Sequence, residues 1–285
     1  MRPLAAALLA VLLPLPAWTA PMRIVSTAPS VTELLFALGL GPRVVGVSTY
    51  CHYPPEAARL PKVGTFLQFN LETIASLKPD LVVVLNNPTR AAGQMRSMNL
   101  NVLEIEHETV PQIFRSITRL GMATGSTEAA AKLSAGLREK LDAIRARASK
   151  LPRRKIMFIV GRNPGTLDGM VAAGRASYLN DLMDLAGGDN IFRDAPAPYP
   201  KVGLEEIIAR SPDVIVDMGD MAQTVGVTEE RKRAVVRLWD RAATVSAVKR
   251  HAVFAVASDS YVVPGPRMVD AALAFARMLH PEAGF

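Results

Sequence analysis

The run Tyr50-Cys51-His52-Tyr53 places a thiol, an imidazole and two phenols within four positions. Side chains of these types have two chemical uses: they donate to a metal ion, or they lay flat amphipathic faces against a ligand. Cys51 is the only cysteine in the chain. A lone buried thiol packs as a small hydrophobe, which leaves His52 as a solvated neighbour and favours the second use. Phe66, Tyr199 and Tyr261 also fall on loops after or between predicted strands, where core packing does not require a ring. Aromatic faces on rigid loops suit a planar, partly apolar ligand. Glu106-His107-Glu108 is a further cluster at a strand end, either lining a cleft or facing water.

Motifs for other chemistries do not occur. No Gly-x-Gly-x-x-Gly follows a strand, and there is no Gly-Lys-Ser/Thr, so neither a dinucleotide nor a nucleoside triphosphate is indicated. Gly-x-Ser-x-Gly and His-Glu-x-x-His do not occur, and none of the four histidines has zinc-site spacing. The expectation is a protein that is not an enzyme and holds no cofactor or metal of its own. The alternative is an extracytoplasmic α/β enzyme using Asp259 or His107, although no nucleophile and base pair off.

What must position these residues is a segment that occurs twice. Asn70-Leu-Glu-Thr-Ile-Ala-Ser-Leu-Lys-Pro-Asp-Leu-Val-Val83 aligns without a gap with Gly203-Leu-Glu-Glu-Ile-Ile-Ala-Arg-Ser-Pro-Asp-Val-Ile-Val216. Asn70 and Gly203 are acceptable helix N-caps, and Leu71/Ile74/Ala75 and Leu204/Ile207/Ile208 recur at the spacing of one buried face. Pro79 and Pro212 stop each helix, and a Val/Ile/Leu run follows as in a strand covered on both faces of a parallel sheet. Glu72 and Glu205 sit in the first turn about 100° around from the leucines and point to solvent. An acid there at least complements the helix dipole, worth about 0.3–1 kcal/mol.

Around the repeats the chain alternates strand and helix. Met22 to Ser26 and Val44 to Ser48 read as strands, with Ser30-Val-Thr-Glu33 as a capping box for a helix stopped by Gly39. The polar loop Asn86 to Arg90, a helix near Ala91 to Met98 and a strand from Val102 to Ile105 follow. Thr127 to about Lys150 carries Leu133, Leu137, Leu141 and Ile144 on one stripe and predicts a helix about 36 Å long. Lys155 to Val160 opens a second half. It has helices at Ser177 to Ala186, Thr228 to Ala242 and Pro266 to Leu279, and a strand at Val253 to Val256. The predicted fold is α/β: two Rossmann-like lobes with mostly parallel sheets, residues 21–126 and 152–285, joined by one long helix over 127–151. Such a rod permits only limited closure.

Arg2 and the apolar run from Leu4 to Leu13 have the form of a secretory signal ending near Ala20, too short to span a bilayer. No cysteine lies near that point, so the product is expected free in the periplasm rather than lipid-anchored. The net charge of +7 is scattered and only 6% of residues are aromatic, which argues against nucleic-acid binding.

Val47 to Glu56, Asn70-Leu-Glu with Leu77-Lys-Pro-Asp80, Gly187-Gly-Asp-Asn-Ile-Phe192 and Ala209-Arg-Ser-Pro-Asp213 resemble the periplasmic cobalamin-binding proteins. These belong to the receptors that capture cobalamin, ferric siderophores or haem for ABC importers. The resemblance runs over essentially the whole chain after Ala20. It implies a monomer of two lobes with the ligand, a corrinoid, in the groove between them. It places Tyr50, Phe66 and Tyr199 where aromatic residues line that groove, and Glu72 and Glu205 where one acid per lobe docks onto arginines of the permease. Phe66 and Tyr199 replace tryptophans of the family, and Leu167 stands where a further aromatic is usual. Tyr261 and Arg162 complete the expected lining. The rival ligands are a ferric siderophore, met by Arg162, Arg175 or Arg267, and haem, with Tyr50 or Tyr261 as axial ligand.

Overall fold

The computed structural model describes residues 20–65, 68–86, 91–219 and 227–285. The expected secretory segment before Ala20, Phe66 and most of the Asn86 to Arg90 loop lie outside these residues. In the first half the order is β1 (Ile24–Ser26), α1 (Pro29–Ala37), β2 (Val44–Val47), α2 (Leu71–Ser76), β3 (Leu81–Leu85), α3 (Ala91–Ser97) and β4 (Val102–Ile105). These strands form one sheet in the order β2-β1-β3-β4, and every neighbouring pair is parallel. Two helices follow, α4 (Val110–Thr124) and α5 (Thr127–Ala148).

The second half contains β5 (Arg154–Gly161), β6 (Met170–Ala172), α6 (Tyr178–Leu185), β7 (Gly188–Asn190), β8 (Lys201–Val202), α7 (Leu204–Arg210) and β9 (Val214–Asp217). It ends with α8 (Glu229–Leu238), α9 (Ser246–Lys249), β10 (Val253–Ala255) and α10 (Met268–Leu279). Its sheet runs β10-β9-β5-β6-β8, and β7 pairs with the start of β5. The pairs β10/β9 and β5/β9 are parallel, while β6 is antiparallel to both β5 and β8. The architecture is thus two α/β lobes with a long helix between them.

The repeated segment folds the same way twice. Asn70 caps α2 by accepting from the Thr73 amide at 2.9 Å, and Gly203 occupies the same place before α7. Lys78 and Ser211, each directly before the proline, both take the left-handed conformation, with φ of 46° and 43°. The following proline disfavours the right-handed helical region for its predecessor, so each helix turns out sharply into its strand. The aspartate after each proline then ties down the start of the neighbouring strand. Asp80 accepts from the Met22 and Arg23 amides, both at 2.9 Å, and Asp213 accepts from the Lys155 amide at 3.0 Å.

Two sequence expectations change. The Ser30 to Glu33 capping box does not form: α1 begins at Pro29 with Ala28 as N-cap and no side-chain cap. Proline is pre-organised for the first helical position, so Ser30 and Glu33 lie inside the helix, and Glu33 is free to reach elsewhere. Secondly, α4 precedes the long helix and was not anticipated. Its capping box, Thr109 with Gln112, is complete, and it ends at Gly125 with φ of 69°. A Cβ on Gly121 would lie 2.4 Å from that of Ala130, so this glycine lets α4 and α5 pack as a close hairpin. α5 spans 22 residues, about 33 Å, and buries Leu137, Leu141 and Ile144 as its stripe predicts.

One hydrophobic cluster runs without a break through the molecule. It joins Ile24, Leu35, Val83 and Leu120 of the first half, Leu137 and Leu141 of α5, and Ile156, Val216, Met268 and Phe275 of the second. Two smaller clusters cover the outer sheet faces, one around Val25, Ile74 and Val84 and one around Met157, Ile215 and Trp239.

Candidate functional site

In an open parallel sheet the loops after the strand C-termini form the ligand crevice. The loop after β2 carries Tyr50, the end of β4 carries Glu106 to Glu108, the end of β5 leads to Arg162 and Leu167, and the end of β10 leads to Asp259 and Tyr261. Tyr199 lies just before β8. Of the expected lining rings among the described residues, two stand exposed: Tyr50 at 55% and Tyr199 at 44%. Burial, with a smaller push from the Glu108 carboxylate of the first lobe, raises the Tyr199 phenol to about 12.

The other expected lining residues are built into the protein. Tyr261 is only 7% exposed. Its ring lies 5.6 Å from both Phe158 and Phe275, and its carbonyl accepts the Tyr178 hydroxyl. It is a core ring, unsuited to axial ligation of haem. Leu167 is buried in the cluster that contains Trp239. Arg162 is buried too. Its Nε donates to Asp217 Oδ2 at 3.0 Å, and its Nη1 donates to the carbonyls of Thr166 and Asn163 at 2.9 and 3.3 Å. Asp217 also accepts from Trp239 Nε1 at 2.8 Å and from the Gly219 amide at 2.6 Å. Arg162 therefore holds the loop over residues 163–169 against β9, its Nε and Nη1 spent on internal acceptors. The signal for this network was Asp217 itself, an acid ending a buried strand whose other residues are Val, Ile and Val.

Arg267, a second arginine proposed for an anionic chelate, is likewise engaged. Its Nε donates to Glu33 Oε2 at 3.0 Å, its Nη2 donates to Glu33 Oε1, and its Nη1 donates to Asp259 Oδ1 at 2.8 Å. Burial pushes the Glu33 carboxyl up, against the opposing pull of Arg267. Arg175 alone of the three stays exposed.

Cys51 is fully buried, with Thr32 Oγ1 donating to its sulfur at 3.1 Å and Ser48 Oγ at the same distance. Burial pushes its thiol up, away from the reactive thiolate, while His52 is exposed. Asp259 is bound to Arg267, and burial lowers the His107 imidazole against the opposing Glu108. Among the described residues no group of three or more His, Cys, Asp or Glu is arranged to hold a metal.

Glu72 and Glu205 both stand exposed in the first turn of their helices. Glu206, beside Glu205, is bound to Arg210 at 2.8 Å. No ion pair is formed by Glu72 or Glu205 among the described residues. A groove of about 1160 Å³ lies apart from Tyr50 and Tyr199, beside α5, between the ends of α1 and α10.

The profile of the periplasmic binding protein family matches residues 24–259. The chain belongs to that family. A vitamin B12-binding protein of Salmonella typhimurium is 33% identical over 226 residues, covering 78% of this chain and 82% of that protein. Among solved structures, the periplasmic vitamin B12 binding protein of Vibrio cholerae superposes with a TM-score of 0.77 at 27% identity, over 94% of this chain and 100% of that one. The periplasmic heme-binding protein RhuT of Roseiflexus sp. RS-1 gives a TM-score of 0.74 at 26% identity, over 90% and 98%. Both are similar over the two lobes and the helix between them. Members of this family are binding proteins.

Proposed function

We propose that this family member captures a corrinoid between lobes 21–126 and 152–285, held apart by the helix over 127–151, and hands it unchanged to an ABC permease. The observation that carries the reading is the 33% identity to a vitamin B12-binding protein across both lobes. It agrees with Tyr50 and Tyr199, two exposed rings on separate lobes, which would lie against the faces of a planar macrocycle. Phe66 would join them. Arg162 and Arg267 are consumed by internal carboxylates, which counts against an anionic ferric siderophore. Haem is the second reading, favoured by the likeness to a heme-binding structure, and Tyr50 is the phenol left to reach its iron.

Glu72 and Glu205 occupy equivalent places in the two repeats, and we assign them to the permease, one per lobe. Residues 1–20 are proposed as the secretory signal of a periplasmic monomer. No described helix is long and apolar enough to cross a membrane.

Titrating the purified protein with cyanocobalamin tests the ligand. Heat of binding and a raised melting temperature are expected, since a ligand bound only to the native state stabilises it. Neither effect would remove the corrinoid, and a Soret shift with hemin in its place would establish haem. The Glu72→Ala/Glu205→Ala double variant is expected to lose uptake in cells while keeping its affinity. Uptake at the wild-type rate would overturn the docking assignment.

A further inference from the structure

The lobes meet at a second kind of contact besides α5. Arg267, at the N-cap of α10, reaches across to Glu33 of α1 with two donors while its third holds Asp259 in its own lobe. The same guanidinium lies 4.3 Å over the ring of Tyr53, three residues from Tyr50 on the same loop. The Glu33 side chain is 2% exposed and that of Arg267 18%, so water screens this cluster little. The backbones close up around it: a Cβ on Gly265 would sit 3.3 Å from Glu33 Oε2 and 3.8 Å from the Ser30 carbonyl. Immediately alongside, α1 and α10 are not packed together. The groove of about 1160 Å³ separates them, with Phe36, Leu137 and Leu273 among its walls. Arg267 and Glu33 line this groove, so their bond spans the space between α1 and α10 at one end of it.

We propose that Arg267 is the interlobe positioning residue of this protein: by gripping Glu33, Asp259 and the Tyr53 ring together it fixes the cleft angle and the Tyr50 loop, and so sets how long a ligand stays bound. The assignment of a residence time rests on the binding reading above; the control of lobe angle does not. A planar guanidinium suits the task, because its fork meets a carboxylate with two donors and still stacks on an aromatic face, which lysine cannot do. All three nitrogens of its guanidinium are engaged by Glu33 and Asp259, so its effect travels through the angle it maintains.

Arg267→Met alone leaves Glu33 buried and unpaired, a change that itself threatens folding. The Glu33→Leu/Arg267→Met double variant removes the grip without stranding the buried Glu33 charge, while Asp259, 28% exposed in its side chain, is left to water; the exposed Arg119→Met serves as control. Spin labels at Ser97→Cys and Ala243→Cys, exposed positions on the two lobes, report the interlobe distance by pulsed resonance. Cys51 is buried and escapes labelling. The double variant is expected to broaden the distance distribution and to speed cyanocobalamin dissociation at least fivefold, the lower end of ordinary coupling between sites. Arg119→Met is expected to change neither. An unchanged distribution, or an unchanged dissociation rate, overturns the proposal. If the wild-type protein binds no cyanocobalamin, the ligand reading has failed instead, and the distance measurement alone decides the role of Arg267.

Discussion

Arg162 and Arg267 show how differently one residue type is used within a single lobe. Arg162 lies wholly inside and knits β5, β9 and Trp239 around Asp217, whereas Arg267 bridges outward to the first lobe. Replacing Arg162 by Met leaves Asp217 with only the indole and amide donors. The variant is expected to lose about 3–5 kcal/mol in urea unfolding, as when one partner of a buried ion pair is removed. Adding Asp217→Asn is expected to recover part of that loss, since no charge is then stranded. The buried imidazoles give a pH dependence of definite sign. His107 and His280 are both lowered from 6.5 by burial, so the native state binds fewer protons than the unfolded chain. Their contribution to stability is complete above pH 6.5 and falls away as the pH drops below it. His107→Leu is therefore expected to lose less melting temperature than the wild type between pH 7 and pH 5.5; an equal loss would refute the assignment. Sequence pattern revealed which side chains were chemically interesting at this scale, but not which were available. Tyr50, Tyr199 and Tyr261 all look like loop aromatics, and only the approach of Phe158 and Phe275 makes Tyr261 a core ring.

The elements were legible where two signals agreed and obscure where they competed. In the repeats the cap, the proline and the β-branched run all point one way and both copies form the expected helix and strand, but Ile208, expected on the buried face with Leu204 and Ile207, is 38% exposed. The role of Asp80 and Asp213 was not visible, because a hydrogen bond to a distant amide leaves no local periodicity. Asp80→Ala and Asp213→Ala are each expected to cost about 1 kcal/mol, measured by denaturant titration. The two losses should add, since the residues lie in separate lobes and share no partner. At α1 two start signals competed, Pro29 against Ser30, and the proline prevailed, releasing Glu33 for Arg267. α4 escaped notice because its β-branched residues, its Pro111 and its Gly121 lower helix propensity. Its Thr109/Gln112 box and the spacing of Ile113, Phe114, Ile117 and Leu120 carried the information all the same.

For the whole molecule, the decisive feature is the apolar cluster that passes from the first sheet through α4 and α5 into the second. Two lobes with separate cores would melt independently; these share one. Unfolding followed by Trp239 fluorescence, which reports the second lobe, is expected to coincide with hydrogen exchange of β1 and β3 in the first. Leu141→Ala, at the middle of the shared cluster, should cost about 2–5 kcal/mol and lower both signals together. A split of the two transitions would show that the lobes are energetically separate.

The same seam decides how ligand preference can change over evolutionary or laboratory time. The side chains of Tyr50 and Tyr199 stand outside the common interior, so exchanging them singly leaves the joint intact, whereas Cys51 and Tyr53 of the Tyr50 loop are tied into it. A hybrid made by cutting midway along α5 would instead have to match two foreign apolar surfaces at once. Retuning this receptor is accordingly a matter of single side chains on those loops, and trading whole halves is closed to it.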